Sequence, residues 1–418
     1  MASLPLAAPA RPRFAQLPPL ALYAHIPWCI RKCPYCDFNS HEQHGELPEE
    51  QYVDALIADL EASLPDVWGR RLSTIFIGGG TPSLFAPRSI ERLITAVRTR
   101  IPLDFEAEVT MEANPGTFEA ERFRGFRDAG VNRLSIGVQS FDDAHLAAIG
   151  RVHGSAEAKR AIESALPLFG NVNVDLMYAL PGQSLEAALA DAREAVRFGV
   201  PHVSAYHLTL EPNTLFHRYP PPLPDDDVAA DMQEAIEAEL ALAGYEHYET
   251  SAFAKRGRRS RHNLNYWTFG DYLGIGAGAH GKLSFADRVR REVRHRQPRA
   301  YIEAALAGKA IQEAADVEPR SLPFEFLMNA LRLIDGFPAA LFAERTGLSL
   351  AGVERELAAA ERDGLLARDL TTIRPTPKGQ RFLNDLLERF LPEEINGGRT
   401  PIHFPINISS TDTRRRLP

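Results

Sequence analysis

The sequence has few cysteines, no net positive charge and no long apolar run, and each shortage argues against a class of protein. Only three of its 418 residues are cysteines, all between positions 29 and 36, which excludes a framework of structural disulfides. The formal net charge of −8 argues against a nucleic-acid binder, because phosphate recognition needs a positive surface. No apolar run approaches the roughly 20 residues that span a bilayer, and residues 1–20 lack the apolar core of a signal peptide. These shortages predict a cytoplasmic protein.

A mixed, globular composition remains, and its first half alternates strand-like with helix-like segments. Six short, partly β-branched runs are strand candidates: Leu22–Ile26, Thr74–Ile77, Glu108–Glu112, Arg133–Val138, Val172–Met177 and Val203–Leu208. Because parallel strands need crossover connections, six βα repeats predict a parallel sheet. Six repeats are too few for an eight-stranded barrel. The sequence therefore predicts an α/β fold, a partial (β/α)6 barrel with its site at the C-terminal ends of the strands.

The second half of the chain has a different pattern. Apolar residues recur at helical spacing in three segments, and a strand-like run and a final helix follow: Phe324–Ile334, Ala339–Thr346, Leu350–Asp363, Thr372–Arg374 and Lys378–Leu391. This order is that of a winged-helix domain, although few basic residues stand where a DNA-recognition helix would need them. The predicted organisation has five parts: a flexible N-terminus over 1–20, a barrel over 21–245, a connecting region over 246–315, a smaller winged-helix-like α+β domain over 316–392 and a disordered tail over 393–418.

The three cysteines directly follow the first predicted strand, on the loop at its C-terminal end. Thiolates are soft ligands that suit both iron–sulfur clusters and zinc. A standard cluster uses four cysteines, so Cys29, Cys33 and Cys36 would leave one iron open to a further ligand. The alternative is a Cys3His zinc site completed by His25 or His41. The spacing Cys-x3-Cys-x2-Cys differs from the Cys-x2-Cys pairs that are usual at zinc sites.

Polar residues also follow other strands at the same end. The second strand ends in a Gly-Gly-Gly-Thr-Pro turn, residues 78–82, where exposed backbone N–H groups can approach a ligand closely. Glu112, Gln139 and Asp175 end the next three strands, and Arg151 follows Gln139. Each residue alone is as readily a hydrogen-bonded structural group. Together they predict a shared pocket, because strand ends of a βα barrel meet at one face.

The cysteine spacing on the first β–α loop resembles that of the radical SAM superfamily. The chain from about Tyr23 to Leu391 is similar to the coproporphyrinogen dehydrogenase-like branch of that superfamily. The resemblance implies a [4Fe–4S] cluster whose open iron is chelated by the amino and carboxylate groups of S-adenosylmethionine (SAM). One electron from the cluster then cleaves SAM to methionine and a 5′-deoxyadenosyl radical. It also implies that SAM is bound at the matching positions, which are Tyr23, Tyr35, Gly79, Gly80, Thr81, Glu112, Gln139, Arg151 and Asp175.

Two features separate the members of this branch. The coproporphyrinogen dehydrogenases resemble Cys-x3-Cys-x2-Cys-x-Cys, whereas Phe38 occupies the fourth position here, and they carry a longer N-terminal arm. Residues 262–267, His-Asn-Leu-Asn-Tyr-Trp, look like the HNxxYW motif of the heme chaperone branch, HemW. That resemblance implies a protein that binds heme and delivers it to respiratory enzymes. His262 is then a candidate iron ligand, and Tyr266 and Trp267 are candidates to cover the porphyrin face.

Several alternatives stay open at this point. His207 and His280 compete with His262 as heme ligands, and His262 taken alone would be a structural histidine. An oxygen-independent coproporphyrinogen III dehydrogenase, or another radical SAM enzyme of porphyrin metabolism, is the second functional hypothesis. A zinc-stabilised regulatory protein is the third. We interpret the C-terminal domain as a lid, a wall beside heme or a surface for a partner.

A basic cluster precedes the HNxxYW-like motif; its members are Lys255, Arg256, Arg258, Arg259 and Arg261. Arginines pair well with carboxylates such as heme propionates and with anionic lipid, but a solvated loop is the plainer explanation. Peripheral association with the inner face of the cell membrane therefore stays open. The sequence also leaves open whether two copies form a homodimer.

Overall fold

A computed structural model of the protein describes residues 11–117 and 120–392. Its strands are, in chain order, β1 Leu20–Ile26, β2 Trp28–Cys29, β3 His41–Glu42, β4 Leu72–Gly79, β5 Leu103–Ala113, β6 Arg133–Gln139, β7 Asn171–Tyr178, β8 His202–His207, β9 Glu246–Glu249, β10 Ala252–Ala254, β11 Asp271–Ile275, β12 His280–Phe285, β13 Arg288–Arg294, β14 Ile311–Asp316, β15 Phe337–Pro338, β16 Leu366–Arg368 and β17 Thr372–Pro375.

Fifteen α-helices lie within the described residues. They are α1 Glu49–Ser63, α2 Pro87–Arg100, α3 Ala120–Asp128, α4 Asp143–Ala148, α5 Ser155–Ala165, α6 Leu185–Phe198, α7 Leu215–Arg218, α8 Asp226–Leu242, α9 Arg261–Trp267, α10 Pro298–Leu306, α11 Leu322–Ala330, α12 Ala339–Thr346, α13 Glu354–Arg362, α14 Pro377–Arg381 and α15 Leu383–Glu388. Single 3-10 turns lie at Leu64–Val67, Pro82–Leu84, Pro115–Thr117 and Leu350–Val353.

A twelve-stranded sheet forms the body of the molecule, in the order β14-β13-β12-β11-β1-β4-β5-β6-β7-β8-β10-β9. Strands β1, β4, β5, β6, β7 and β8 run parallel to one another, and each successive pair is joined through a crossover connection that contains a helix. This arrangement confirms the predicted partial barrel of six βα repeats. The six predicted strands correspond to these six observed strands.

The two faces of the parallel strands differ in chemistry, because successive side chains of a strand point to opposite faces. Outward-facing residues such as Leu22, Ile75 and Val109 are buried in one apolar core together with residues of the surrounding helices. The alternate positions, which face the barrel interior, carry polar and aromatic groups such as Glu112 and Asp175. The interior is therefore suited to a polar ligand, whereas the outer face stabilises the fold.

The region 246–315, expected to connect two domains, instead contributes six strands to the same sheet. Strand β11 pairs parallel with β1, and β12, β13 and β14 extend the sheet as antiparallel strands. Strand β13 holds four arginines, a composition more typical of an exposed loop than of a strand within a sheet. All four have acidic partners: Arg288 pairs with Asp287 and Asp316, Arg290 with Asp66 and Glu292, Arg291 with Glu325, and Arg294 with Asp59 and Glu292.

The smaller C-terminal domain has the predicted order of helices α11, α12 and α13 followed by the hairpin β16–β17. Strand β15 adds a third strand, in the order β15-β17-β16. Phe326, Phe337 and Phe342 pack edge to face at its centre, with ring centroids 5.0 and 5.3 Å from that of Phe326. The predicted final helix is divided into α14 and α15 at Phe382. The predicted tail over 393–418 lies outside the described residues.

The N-terminal segment differs from the expected flexible arm over the residues that the structure describes. The Arg13 amide donates to the Gly347 carbonyl at 2.9 Å, and the Phe14 amide donates to the Ala286 carbonyl at 3.1 Å. Phe14 also packs against the apolar core of the C-terminal domain. Residues 1–10 lie outside the described residues. Among the described helices, none is long and apolar enough to cross a membrane.

Candidate functional site

The three cysteines follow the C-terminal end of β1: Cys29 ends the short strand β2, and Cys33 and Cys36 lie on the loop between β2 and β3. Backbone hydrogen bonds shape this loop: the Cys36 amide donates to the Cys33 carbonyl at 3.1 Å, and the Gln43 amide donates to the Cys29 carbonyl at 2.8 Å. All three thiols are free and partly exposed. The loop therefore presents three soft ligands to the open end of the barrel, as predicted from their position after the first strand.

One of the two histidines that could complete a zinc site, His25, is already hydrogen-bonded. Both ring nitrogens of His25 are already engaged, since Nδ1 lies 2.9 Å from the Tyr23 hydroxyl and Nε2 lies 2.9 Å from the Asn39 carbonyl. Within residues 11–117 and 120–392, no three His, Cys, Asp or Glu side chains converge on the position of a single ion. A four-iron cluster needs no such convergence, because each thiolate binds a different iron.

Cationic and hydroxyl groups surround the thiols. Arg151 Nη1 lies 3.6 Å from Cys33 Sγ, while Nη2 donates to the Gly137 carbonyl at 2.7 Å. Burial raises the pKa of the Cys36 thiol to about 11 and also raises the pKa of Cys29, which Thr81 partly offsets by a hydrogen bond. These thiols therefore need a metal to remain as thiolates near neutral pH.

The glycine turn after β4 brings the backbone against two other parts of the site. Gly79 has φ +120°, and a Cβ there would lie 2.6 Å from the His25 ring. A Cβ on Gly80 would lie 2.5 Å from the Trp28 carbonyl oxygen. Only glycine fits these two positions. The turn is thereby held against the strand that leads into the cysteine loop.

Glu112 accepts a hydrogen bond from the Gly79 amide at 2.9 Å. Burial raises the pKa of this carboxyl to about 8; the Gly79 hydrogen bond lowers it, and the nearby Asp175 raises it further. A carboxyl in this environment binds a cationic group favourably, since a positive charge restores its ionised form. Perturbed carboxyls of this kind are typical of ligand sites.

Asp175 and Gln139 complete the same end of the barrel. Asp175 accepts from the Ser135 hydroxyl at 3.0 Å and from the Asn173 amide at 2.8 Å, and burial raises its pKa. Gln139 has φ +71°, a left-handed conformation that is unusual for a residue other than glycine. Such strain is concentrated at ligand sites. Gln139 is the last residue of β6, at the same end of the barrel as Glu112.

The two tyrosines predicted to contact SAM lie at the edges of this set. Tyr23 is beside Glu112 and bonds His25, and Tyr35 packs against Phe216 at 6.5 Å between ring centroids while lying close to Arg151. The structure thus brings all nine predicted SAM-contact positions together with the cysteine loop. Their contact with SAM itself stays a prediction.

The HNxxYW-like motif forms α9, which packs into the barrel interior rather than lying on the surface. The amides of Arg261 and His262 donate to the Glu108 carboxylate at 3.1 and 3.0 Å. His262 is 1% exposed, its Nδ1 lies 2.8 Å from the Thr74 hydroxyl, and its ring stacks on Phe76 at 4.9 Å. Burial lowers its pKa to about 3, so the ring is neutral, and its Nε2 has no hydrogen-bond partner among the described residues.

Tyr266 and Trp267 are partly exposed and contact other aromatic and cationic side chains. The Tyr266 ring lies 5.0 Å from His262 and 4.5 Å from Tyr272. The Arg332 guanidinium stacks 4.4 Å above Trp267 and lies 3.6 Å from Glu249. These contacts join the barrel to the C-terminal domain through α9.

The competing heme ligands are more accessible than His262. His207, at the end of β8, and His280, at the start of β12, are both partly exposed. Burial and nearby arginines lower the pKa of His280 to about 4, and burial lowers that of His207. His207 Nδ1 has no hydrogen-bond partner among the described residues. Both imidazoles are therefore neutral near pH 7.

Sequence reasoning missed the polar residues deeper in the barrel, among them Glu108, Asn173 and His202. All three are at most 6% exposed. Their spacing in the sequence could have revealed them, because Glu108 and Glu112 share one face of β5, and Asn173 and Asp175 share one face of β7. Polar residues at alternate positions of an otherwise apolar buried strand indicate a polar interior.

Comparisons with known proteins establish the family. The family models of the Radical SAM superfamily and of the HemN C-terminal domain match residues 23–195 and 317–382. A protein of Escherichia coli (strain K12) named heme chaperone HemW is 50% identical over 380 residues, which cover 90% of this chain and 100% of the relative. The chain belongs to the HemW family of radical SAM proteins. Membership of the superfamily implies a [4Fe–4S] cluster and SAM as cofactors.

Other relatives of the family agree with this result. A Haemophilus influenzae protein, also named heme chaperone HemW, is 47% identical over 91% of this chain and 100% of its own length. The mouse protein named radical S-adenosyl methionine domain-containing protein 1, mitochondrial, is 36% identical over 89% of this chain and 87% of its own. The solved structure of coproporphyrinogen III oxidase (HemN) from Escherichia coli has a TM-score of 0.76 at 23% identity, with 90% of each chain covered. That likeness shows the fold of this HemW family member.

Proposed function

We propose that this protein is a heme chaperone that holds a [4Fe–4S] cluster and SAM, binds heme and transfers it to hemoproteins of the respiratory chain. The observation that supports this most strongly is the 50% identity, over 90% of the chain, to a relative named heme chaperone HemW. Phe38 in place of a fourth cysteine supports the same choice over a coproporphyrinogen dehydrogenase. We propose Cys29, Cys33 and Cys36 as the cluster ligands.

The proposed SAM site matches the cofactor group by group. When bound, the cluster supplies one electron and an open iron. The chain's own residues orient the cofactor: Glu112 offers a carboxylate to its cationic groups, Arg151 offers a cation to its carboxylate, and Asp175 offers acceptors to its hydroxyls. Gly79 and its neighbours allow the backbone to approach closely.

The proposed heme-binding residues are His262, Tyr266 and Trp267, with His207 and His280 as competing ligands. His262 Nε2 is the nitrogen without a partner among the described residues, and a neutral imidazole nitrogen is a standard axial ligand. Because the ring is 1% exposed against Phe76, heme binding by His262 requires α9 to move. Binding by His207 requires no such movement.

The proposed partners are heme and the respiratory hemoproteins that accept it. Arg256 and Arg258 form no ion pair within the described residues, whereas Arg259 pairs with Glu246 and Asp335. These two cations are suited to heme propionates or to anionic lipid on the inner face of the cell membrane. We therefore propose a cytoplasmic protein with peripheral membrane contact, and we extend the proposal to a homodimer.

The proposal is tested by anaerobic reconstitution of the cluster followed by heme titration, with coproporphyrinogen III turnover assayed on the same preparation. We expect one heme per chain, no turnover, and weaker heme binding in His262→Ala. His44→Ala, which changes an exposed histidine, is the matched control and should bind heme normally. Turnover of coproporphyrinogen III without stoichiometric heme binding would overturn the proposal.

A further inference from the structure

A continuous series of hydrogen bonds leads from Asp175 into the barrel interior. Asn173 Nδ2 donates to Asp175 Oδ1 at 2.8 Å and to the Ser135 hydroxyl at 2.7 Å, and Ser135 donates to Asp175 Oδ2 at 3.0 Å. Asn173 Oδ1 lies 2.5 Å from His202 Nδ1 and also accepts from the Ser204 hydroxyl. The amide of Asn173 thus connects Asp175 to His202.

The series continues from His202 to the start of α9. His202 Nε2 lies 2.8 Å from the Tyr248 hydroxyl, and that hydroxyl accepts from the Ser260 amide at 3.3 Å. Ser260 caps α9, since its hydroxyl accepts from the Asn263 amide. The predicted SAM site and the HNxxYW-like motif are therefore joined by direct contacts through three strands, β7, β8 and β9.

The chemistry of the participating atoms fixes the direction of each hydrogen bond in the series. Because Asn173 Oδ1 only accepts, His202 Nδ1 carries the proton, and the neutral ring then accepts at Nε2 from Tyr248. Burial, with the nearby Arg133, holds the pKa of His202 well below its usual range, so the ring stays neutral. Asn173, His202, Tyr248 and Ser260 are each at most 2% exposed. Bulk water therefore does not reach these groups, and a change of partner at one end alters the next hydrogen bond along the series.

We propose that Asn173 and His202 are positioning residues that hold Asp175 for SAM and transmit occupancy of the SAM site to α9. The inference rests on the proposed function, because it takes Asp175 as a SAM contact. A ligand that bonds Asp175 changes the acceptors left for Asn173 and Ser135, and this change reaches Tyr248 through His202. In a heme chaperone this gives α9 a way to respond to cofactor binding.

The first test is hydrogen–deuterium exchange of the α9 amides in cluster-loaded protein, with and without SAM. We expect SAM to slow exchange across residues 261–267 in the unmodified protein and to have no effect there in Tyr248→Phe, which removes only the linking hydroxyl. Tyr245→Phe is the matched control, since its buried hydroxyl donates to the Val200 carbonyl outside the series. Equal SAM-dependent slowing in Tyr248→Phe and unmodified protein would overturn the inference.

The second test is SAM affinity measured by calorimetry in two variants of His202. A glutamine amide can donate to Asn173 and accept from Tyr248, whereas leucine can do neither. We expect His202→Leu to weaken SAM binding about tenfold, the loss of a net hydrogen bond, and His202→Gln to restore most of it. Equal affinities in His202→Leu and unmodified protein would refute the positioning role.

The assignment of the SAM site and the coupling from that site to α9 would fail with different experimental results. If unmodified, cluster-loaded protein does not bind SAM, the assignment of the cofactor site is wrong. If it binds SAM but the Tyr248 and His202 variants respond as the unmodified protein does, the site stands and the series of hydrogen bonds carries no signal. Thermal melting of each variant identifies any that fails to fold. If His202→Leu does not fold, the SAM affinity of His202→Gln still tests the positioning role.

Discussion

Two regions hold the residues proposed to bind cofactors. One is the C-terminal end of the barrel strands with Glu112, Gln139, Arg151 and Asp175, here called the rim, and the other is the interior helix α9. The two regions differ in how far their polar groups are buried and hydrogen-bonded. At the rim, Glu112 and Arg151 are partly exposed, and Gln139 adopts a strained backbone conformation. At α9, His262 is almost fully buried and hydrogen-bonded to Thr74. Tyr266 and Trp267, the last two residues of the motif, pack on other protein groups.

The rim therefore has the properties of a ligand-binding surface, whereas α9 has those of a structural contact between the barrel and the C-terminal domain. Partly exposed, strained and electrostatically perturbed groups tend to gain partners when a ligand arrives. Buried groups that already have partners lose stability when they are disturbed. The comparison therefore predicts that rim variants change cofactor binding with little effect on folding, and that α9 variants change folding first.

The largest effect should follow removal of one cluster ligand. Because the chain has only three cysteines, Cys29→Ala, Cys33→Ala and Cys36→Ala should each abolish the cluster. Iron and sulfide analysis after anaerobic reconstitution measures this loss, with Ser40→Ala, beside Cys36, as the matched control. Full iron and sulfide in any of the three cysteine variants would contradict the three-ligand assignment.

The next effect tests α9 as a joint. His262→Ala removes a buried ring that stacks on Phe76, and we expect the free energy of unfolding to fall by about 2–4 kcal/mol without any heme. Denaturant unfolding of the ligand-free protein measures this change. His207→Ala, at a partly exposed position, should change stability by less than about 1 kcal/mol. Equal stabilities of the two variants would show that α9 is not the more tightly packed region.

A smaller effect tests the rim through pH. The pKa of Glu112 is about 8 in the folded protein and 4.5 without its surroundings. Between these pH values the folded state holds a proton that the unfolded state has lost, so its contribution to stability is present below pH 4.5 and is lost as pH rises to about 8.

Glu112→Gln removes this dependence and should therefore be more stable than the unmodified protein at pH 8, relative to pH 5. We expect a difference on the order of 1 kcal/mol, reduced by solvent at the partly exposed carboxyl. The same variant should bind SAM more weakly. A pH-independent difference in melting temperature between the two proteins would contradict the raised pKa.

The smallest effect concerns Phe38, which is 50% exposed beside the cysteine loop. Phe38→Cys restores the four-cysteine pattern of the coproporphyrinogen dehydrogenases. We expect unchanged iron content, a stability change within about 0.5 kcal/mol and no coproporphyrinogen III turnover. Turnover in this variant would show that one cysteine, and not the wider site, separates the two activities.

The rim was predictable from sequence because it depends on local order along the chain. Strands are recognised by short apolar runs, and the residue after each strand lies at the shared face of the barrel. Cys29, Glu112 and Asp175 can therefore be grouped from their positions in the chain alone. The strand-end rule needs no knowledge of distant contacts.

The environment of α9 was not predictable in this way. Its seven residues are mostly polar and follow a basic stretch, which is typical of a surface helix. Its burial depends on Glu108 and Thr74, more than 150 residues earlier in the chain, as the sequence separations of 154 and 188 to His262 show. Strand β13 was missed for a similar reason, since its arginines are neutralised by acidic residues far along the chain.

The most direct test of the account is heme transfer. Protein loaded with cluster, SAM and heme is mixed with a heme-free respiratory cytochrome in membrane vesicles, and recovery of the cytochrome spectrum is followed over time. We predict faster recovery than with an equal amount of free heme, and slower recovery with the Cys33→Ala variant. Recovery no faster than with free heme would contradict a chaperone function.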